Sequence, residues 1–176
     1  KVSHENLPIL KILPIVIKSA RALSYAHSQV IIHRDIKPSN IFLCEQEPKI
    51  MDFGLAKNSS QNTQLSHDGM ILGTPLYMSP EQALGKLKQI DERSDVYSLG
   101  CVLYELLKSK PPFFGKTYQQ LIQKIVNSYP MRPSSIKSRI HSNLDVVCLK
   151  SLEKNKKYRY KNMDEFADDL QLILEN

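Results

Sequence analysis

The run His33-Arg34-Asp35-Ile36-Lys37-Pro38-Ser39-Asn40 sets a carboxylate, an amine and an amide at i, i+2 and i+5 of a polar stretch between apolar segments. Asp35 can accept a proton from an attacking hydroxyl. Lys37 can neutralise charge on a phosphoryl group in transit, and Asn40 offers the hard oxygen that suits Mg²⁺. Twelve residues after Asn40 comes Asp52-Phe53-Gly54. Asp52 offers a second hard oxygen, and Gly54 lets the chain leave with an unusual backbone angle. Singly these residues say little. Asp52-Phe53-Gly54 alone is most simply a turn, Asn40 a turn residue, and Asp35 with Lys37 a surface ion pair worth ~0–1 kcal/mol.

Elements must bring these groups together. Two short strands, 41–43 and 49–51, joined through 44–48, form a hairpin that carries Asn40 and Asp52 to one place. Ahead of them, Val16, Ala20, Leu23 and His27 recur at intervals of four, three and four, which predicts a helix over 15–29. Pro14 suits its first turn, although a start at Pro8 with a kink at Pro14 is also open. Val30, Ile31 and Ile32 read as a short β-branched run. Residues 57–74 are polar and aperiodic, a long loop of the functional or disordered kind. A helix over 94–108 is apolar on more than one face and is expected at the centre of the core, ended by Pro111-Pro112. Further helices are expected over 118–127, 144–153 and 163–174, the last opened by an Asn162 and Glu165 capping box.

The chain has 176 residues, with 24 Lys+Arg against 18 Asp+Glu and a net charge of +6. That length is one domain or a large part of one. Collagen, low-complexity and disulfide-dense secreted classes are excluded. No apolar run approaches the ~20 residues of a membrane helix. Cys44, Cys101 and Cys148 are odd in number and far apart, and read as reduced thiols of a cytosolic protein. Lys154, Lys156, Lys157 and Lys161 lie near Tyr158 and Tyr160 with no further aromatic interleaving, and read as a solvated helix end rather than a nucleic-acid site. His4, His67 and His141 have no metal-ligand spacing and read as surface residues. Tyr97 and Tyr104 read as packing residues. The chain begins at Lys1 without a signal-peptide pattern, which fits a piece of a longer protein.

With these residues in place, the chain resembles the large C-terminal lobe of a eukaryotic-type serine/threonine protein kinase over essentially its whole length. The H-R-D-x-K-x-x-N and D-F-G pair is highly specific, and two further motifs follow in order. Gly73-Thr74-Pro75-Leu76-Tyr77-Met78-Ser79-Pro80-Glu81 resembles the segment ending in A-P-E, with Ser79 for Ala, and Asp95-Val96-Tyr97-Ser98-Leu99-Gly100 resembles the start of the central helix. The run from 79 to 113 is most similar to bacterial members. The resemblance implies an α+β kinase-like fold, here a mainly helical large lobe with a small hairpin, with residues 1–176 forming a partial kinase domain. It implies that Asp35 is the base and that Lys37 contacts the γ-phosphate of ATP. Asn40 and Asp52 would hold Mg²⁺, and Phe42 would form part of the floor under adenine. Asp95 would hold the His33-Arg34 backbone, His33 and Phe53 would stack, and Arg159 would pair with Glu81. Thr74, with Lys37, fits the Ser/Thr class. Arg34 would await a phosphate on the activation loop, with Ser59, Ser60, Thr63 and Ser66 as candidates. The implied partners are proteins bearing Ser or Thr; no nucleic acid is implied. The implied location is the cytoplasm, or the cytoplasmic side of a membrane should an anchor lie outside this chain. Oligomeric state is left open.

Three departures accompany the resemblance. The six glycines form no G-x-G, so the phosphate-covering loop of the small lobe is not in this chain, nor are its Lys and Glu. Ile15-Val16-Ile17-Lys18 imitates V-A-I-K but lies in a helical pattern only 15 residues before His33. Positioning dominates phosphoryl transfer, so residues 1–176 alone are expected to transfer negligible phosphate. Val30 stands where the family often has a helix-ending Gly, and Lys156 where it often has Pro. The alternative function is an isolated kinase-like lobe that binds proteins and transfers nothing. A small-molecule kinase of related fold is disfavoured by Lys37 and by Ser79-Pro80-Glu81.

Overall fold

The computed structural model describes residues 8–53, 75–135 and 140–175. Within them the order is α1 (Ile9–Ser28), β1 (Ile41–Cys44), β2 (Glu47–Ile50), α2 (Pro80–Ala83), α3 (Glu92–Lys108), α4 (Tyr118–Asn127), α5 (Ser142–Ser151) and α6 (Met163–Glu175). The expected mainly helical lobe with one small hairpin is what forms.

α3 is the axis of the core. Every residue from Ser94 to Glu105 is buried, and α1, α5 and α6 all pack against this helix. Its buried polar groups find partners inside the core: Ser98 Oγ donates to Tyr77 O at 2.7 Å and to Ser94 O at 3.1 Å. Gly100 sets how closely α5 approaches, because a Cβ there would lie 2.1 Å from Ser151 Oγ. Asp91 caps the helix by accepting from Arg93 N–H at 3.0 Å. The helix ends before the two prolines. Ser109 turns left-handed at φ 59, and its N–H donates to Glu105 O at 2.6 Å, so Pro111 and Pro112 follow a stop already made.

α1 starts earlier than its apolar period alone implies. Pro8 O accepts from Lys11 and Ile12 N–H at 2.8 and 3.1 Å, and Pro14 lies inside the helix. Proline costs its helix one N–H. The carbonyl concerned is that of Leu10, which is 72% exposed, so water can serve it. The β-branched run after α1 is no strand. Val30 N–H donates to His27 O at 2.8 Å and Ile31 N–H to Ala26 O at 3.0 Å, with Val30 at φ 61. This is the paired closure of a Schellman cap, made by a valine where glycine is usual.

The hairpin pairs Ile41 with Ile50 and Cys44 with Glu47. Its connection shrinks to Glu45 and Gln46, both left-handed at φ 51 and 70, as a two-residue mirror turn demands. At α6, Asn162 Oδ1 accepts from Glu165 N–H at 2.9 Å. The Glu165 carboxylate accepts from Lys161 N–H at 3.1 Å and not from Asn162, so the expected reciprocal box is half made. The lysine group is not simply solvated either. Lys154 Nζ lies 3.9 Å from the Phe113 ring centroid, and Lys156 Nζ donates to Asp91 Oδ2 at 2.8 Å.

Tyr97 and Tyr104 are buried and His141 is exposed, whereas His4 and His67 lie outside the described residues. Cys101 and Cys148 are buried and Cys44 is exposed. Burial pushes both buried thiols well above their usual range. Among the described residues no helix is long and apolar enough to cross a membrane.

Candidate functional site

The catalytic-loop candidates hang from one buried carboxylate. Asp95, in the first turn of α3, has no exposed surface. Its Oδ2 accepts from His33 N–H and its Oδ1 from Arg34 N–H, both at 2.8 Å. A third contact comes from α1, where His27 Nε2 lies 2.8 Å from Asp95 Oδ2. One carboxylate thus ties α1 and α3 to the backbone that precedes Asp35. His27 was legible as one member of an apolar helical stripe; a histidine within such a stripe is the signal that it has a polar partner inside.

His33 continues the scaffold. Its Nδ1 accepts from Asp35 N–H at 3.3 Å, which makes Nε2 the protonated nitrogen. Nε2 accordingly donates to Met51 O at 2.9 Å, next to Asp52. The His33 ring meets Phe53 with centroids 4.8 Å apart. Met51 N–H donates to Asn40 O at 2.9 Å. The loop and the end of the hairpin are thereby bound at two points.

On this frame Lys37 Nζ donates to Asp35 Oδ2 at 2.8 Å. Asn40 is buried, and its Nδ2 donates to Asp35 O at 2.8 Å. That bond commits the amide nitrogen inward and leaves Oδ1 as the group available to a cation, with only a long 3.5 Å contact from Ser39 Oγ. Asp52 is exposed and left-handed at φ 58, as is Arg34 at φ 66. Non-glycine residues held there cost of order 1–3 kcal/mol and cluster at functional sites. Phe42 sits on β1, 39% exposed.

The donor set fits Mg²⁺ and a nucleotide together. Among the described residues no cluster of three His, Cys, Asp or Glu side chains could hold a metal alone. One amide oxygen and one carboxylate suit an ion that draws its other ligands from phosphates and water.

A second scaffold lies beneath. Glu81, in α2, takes a bidentate pair from Arg159, with Nη1 to Oε1 and Nη2 to Oε2 both at 2.8 Å. Ser94 Oγ donates to Glu81 Oε1 at 2.7 Å. Burial alone would raise the Glu81 carboxyl; the hydrogen bonds and charge of Arg159, with Ser94, hold it below the usual carboxylate range. Beside it, Gln82 Nε2 donates to Arg34 O at 2.8 Å, so α2 grips the loop. Gln82 Oε1 also accepts from Ser79 N–H and from Ser79 Oγ, both at 3.0 Å, and the second bond is one that an alanine in that place would lack. Neither α2 nor Gln82 stood out in the sequence, because a four-residue helix carries no apolar period.

The Arg34 Nε is buried with no hydrogen-bond partner among the described residues. Gly54, Thr74, Ser59, Ser60, Thr63 and Ser66 lie outside the described residues.

Comparison with known proteins gives one answer. The family described as protein kinase domain matches residues 5–170. The serine/threonine-protein kinase PknB of Mycobacterium leprae is 41% identical over 165 residues, which is 93% of this chain and 26% of that protein. The PknB of Mycolicibacterium smegmatis is 39% identical over 173 residues, 96% of this chain and 27% of its own length. The probable PknB of Bifidobacterium longum is 41% identical over 152 residues, 85% of this chain and 22% of that protein. The chain spans about a quarter of the length of these relatives.

Proposed function

This chain belongs to the protein kinase domain family, and from that premise we propose that it is the catalytic large lobe of a serine/threonine protein kinase. In this reading residues 1–176 are one part of the kinase domain, and the substrates are proteins bearing Ser or Thr. The cytoplasm, or the cytoplasmic side of a membrane, is where ATP and such substrates meet.

The observation that carries the reading is the Asp35–Lys37–Asn40 cluster suspended from Asp95. Asp35 accepts the proton of a substrate Ser or Thr hydroxyl as its oxygen bonds to the γ-phosphorus, while the bond to the β,γ-bridging oxygen breaks and ADP leaves. Lys37, 2.8 Å from Asp35 Oδ2, neutralises charge on the transferred group and keeps the carboxylate oriented. Asn40 Oδ1 and Asp52 would hold Mg²⁺, whose charge offsets that of the phosphates. Phe42 would lie under the adenine. His33 and Asp95 are positioning residues, since they act through the backbone that carries Asp35. Arg34 would meet a phosphate on Ser59, Ser60, Thr63 or Ser66.

The test is Asp35→Asn in the full protein. Transfer of labelled γ-phosphate to a Ser/Thr-containing protein should fall ~10²–10⁴-fold, with the thermal unfolding midpoint little changed. Undiminished transfer in that variant would remove Asp35 as the base.

A further inference from the structure

A cavity of about 340 Å³ lies beside α2, away from the catalytic loop. Lys86, Arg93, Lys154, Lys156 and Lys157 line it, against the single carboxylate of Glu81. That carboxylate is already matched by Arg159. Arg93 and Lys156 share Asp91, at 2.7 and 2.8 Å. The remaining three cations form no salt bridge with a carboxylate among the described residues. Lys86 and Lys157 are exposed. Lys154 is half-buried, and its ammonium donates to Ile125 O at 2.6 Å and to Tyr97 Oη at 3.2 Å and lies over the Phe113 ring, with Glu153 and Arg159 acting on it through their charge. Burial lowers the Lys154 pKa to about 8, the mark of an ammonium short of counter-charge.

We propose that this cavity binds the phosphate monoester of a phosphoserine or phosphothreonine on a protein segment. A phosphate monoester brings close to two negative charges and three acceptor oxygens, which suits a concavity lined by five cationic side chains and one carboxylate already paired with Arg159. Single-stranded nucleic acid would need aromatic faces for its bases, and among the described residues no aromatic side chain lines the cavity. A membrane surface would need a flat or protruding basic face, and this one is concave. The ligand class is the product of the proposed reaction, so the inference rests on that reading for its biological sense. Its location adds a consequence. α2 holds the Arg34 carbonyl through Gln82, so a substrate phosphorylated once would be retained on the element that grips the catalytic loop, and its next Ser or Thr could enter for a second transfer.

The test measures binding without turnover. The full protein is titrated calorimetrically with a phosphoserine pentapeptide of otherwise Gly and Ala, and with its unphosphorylated twin. Saturable binding of the phosphopeptide alone is expected, weakened by salt. The double variant Lys86→Gln/Lys157→Gln removes two exposed charges whose side chains make no hydrogen bond or salt bridge among the described residues, and affinity should fall ~10-fold or more. Equal binding of the twin, or unchanged affinity in the double variant, would overturn the proposal. So would tighter binding of a thymidine oligonucleotide or of vesicles containing phosphatidylserine. Loss of all phosphotransfer in the full protein would instead sink the kinase reading and leave the binding result standing.

Discussion

Glu81 and Arg159 illustrate how much a single contact can decide. Both side chains are buried, and removing one partner leaves an uncompensated charge. Arg159→Met should therefore cost ~3–5 kcal/mol, read as a drop in the urea midpoint at neutral pH; a loss under ~1 kcal/mol would mean that water reaches Glu81. The pair also has a pH signature. The folded Glu81 pKa is depressed, so its stabilisation is present above the ordinary Glu value of about 4.3 and is lost as pH falls through the lower folded value. Between pH 5 and pH 3 the wild type should lose more stability than the double variant Glu81→Gln/Arg159→Met, in which that titration is gone. Parallel losses would show the carboxylate to be unperturbed. At this scale the sequence was informative wherever polar residues sat at fixed spacing: Asp35, Lys37 and Asn40 are brought together in the loop, and Asp95 of α3 holds the backbone that precedes them. His27 and Gln82 were not legible as site residues, because each acts through a partner tens of residues away.

Elements were less predictable at their ends than in their middles. α4 matched its expected span, since Leu121 and Ile125 face the core and Thr117 caps the first turn with an accepted bond from Gln120 N–H at 3.2 Å. For α1 the apolar period missed the first turns, and the alternative start at Pro8 with Pro14 inside the helix is the one that forms; the β-branched run after it was misread. The helix start depends on Pro8, which an apolar period does not register. Its exit depends on a backbone sign that a β-branched residue opposes. Val30 is 91% exposed, so its side chain contributes almost no burial while its left-handed conformation costs ~1–2 kcal/mol. Val30→Gly relieves that cost but loosens the unfolded chain by ~0.5–1 kcal/mol. The net expectation is a gain of about 0.5–1 kcal/mol, measured by thermal or urea unfolding. A destabilised variant would reveal a contact that Val30 makes outside the described residues.

At the scale of the whole molecule the constraint is the distance between helices. Hydrophobic pattern identified α3 as central, but not that Gly100 admits Ser151 beside it. Gly100→Ala would drive a Cβ into Ser151, and both the Oγ at 2.1 Å and the Cβ at 2.9 Å are in the way. Helices α3 and α5 must then separate, at ~1–3 kcal/mol. Ser151→Gly in the same chain should restore part of the loss, and failure to do so would place the strain elsewhere. Net charge, by contrast, misled locally. Lys154 belongs to a basic cluster by count, yet its ammonium lies against the rings of Tyr97 and Phe113.

The uneven burial of the thiols makes the chain a ready-made carrier for a fluorescent reporter. Cys101 and Cys148 are sealed in the core and held as neutral thiols, while Cys44 lies open at the tip of β1. A maleimide dye at pH 7 should couple once to the native chain and three times after unfolding in guanidinium, as intact mass would show; a second native adduct would mean that α3 or α5 opens. The single dye would sit two residues from Phe42, and its emission should change on titration with ATP and Mg²⁺.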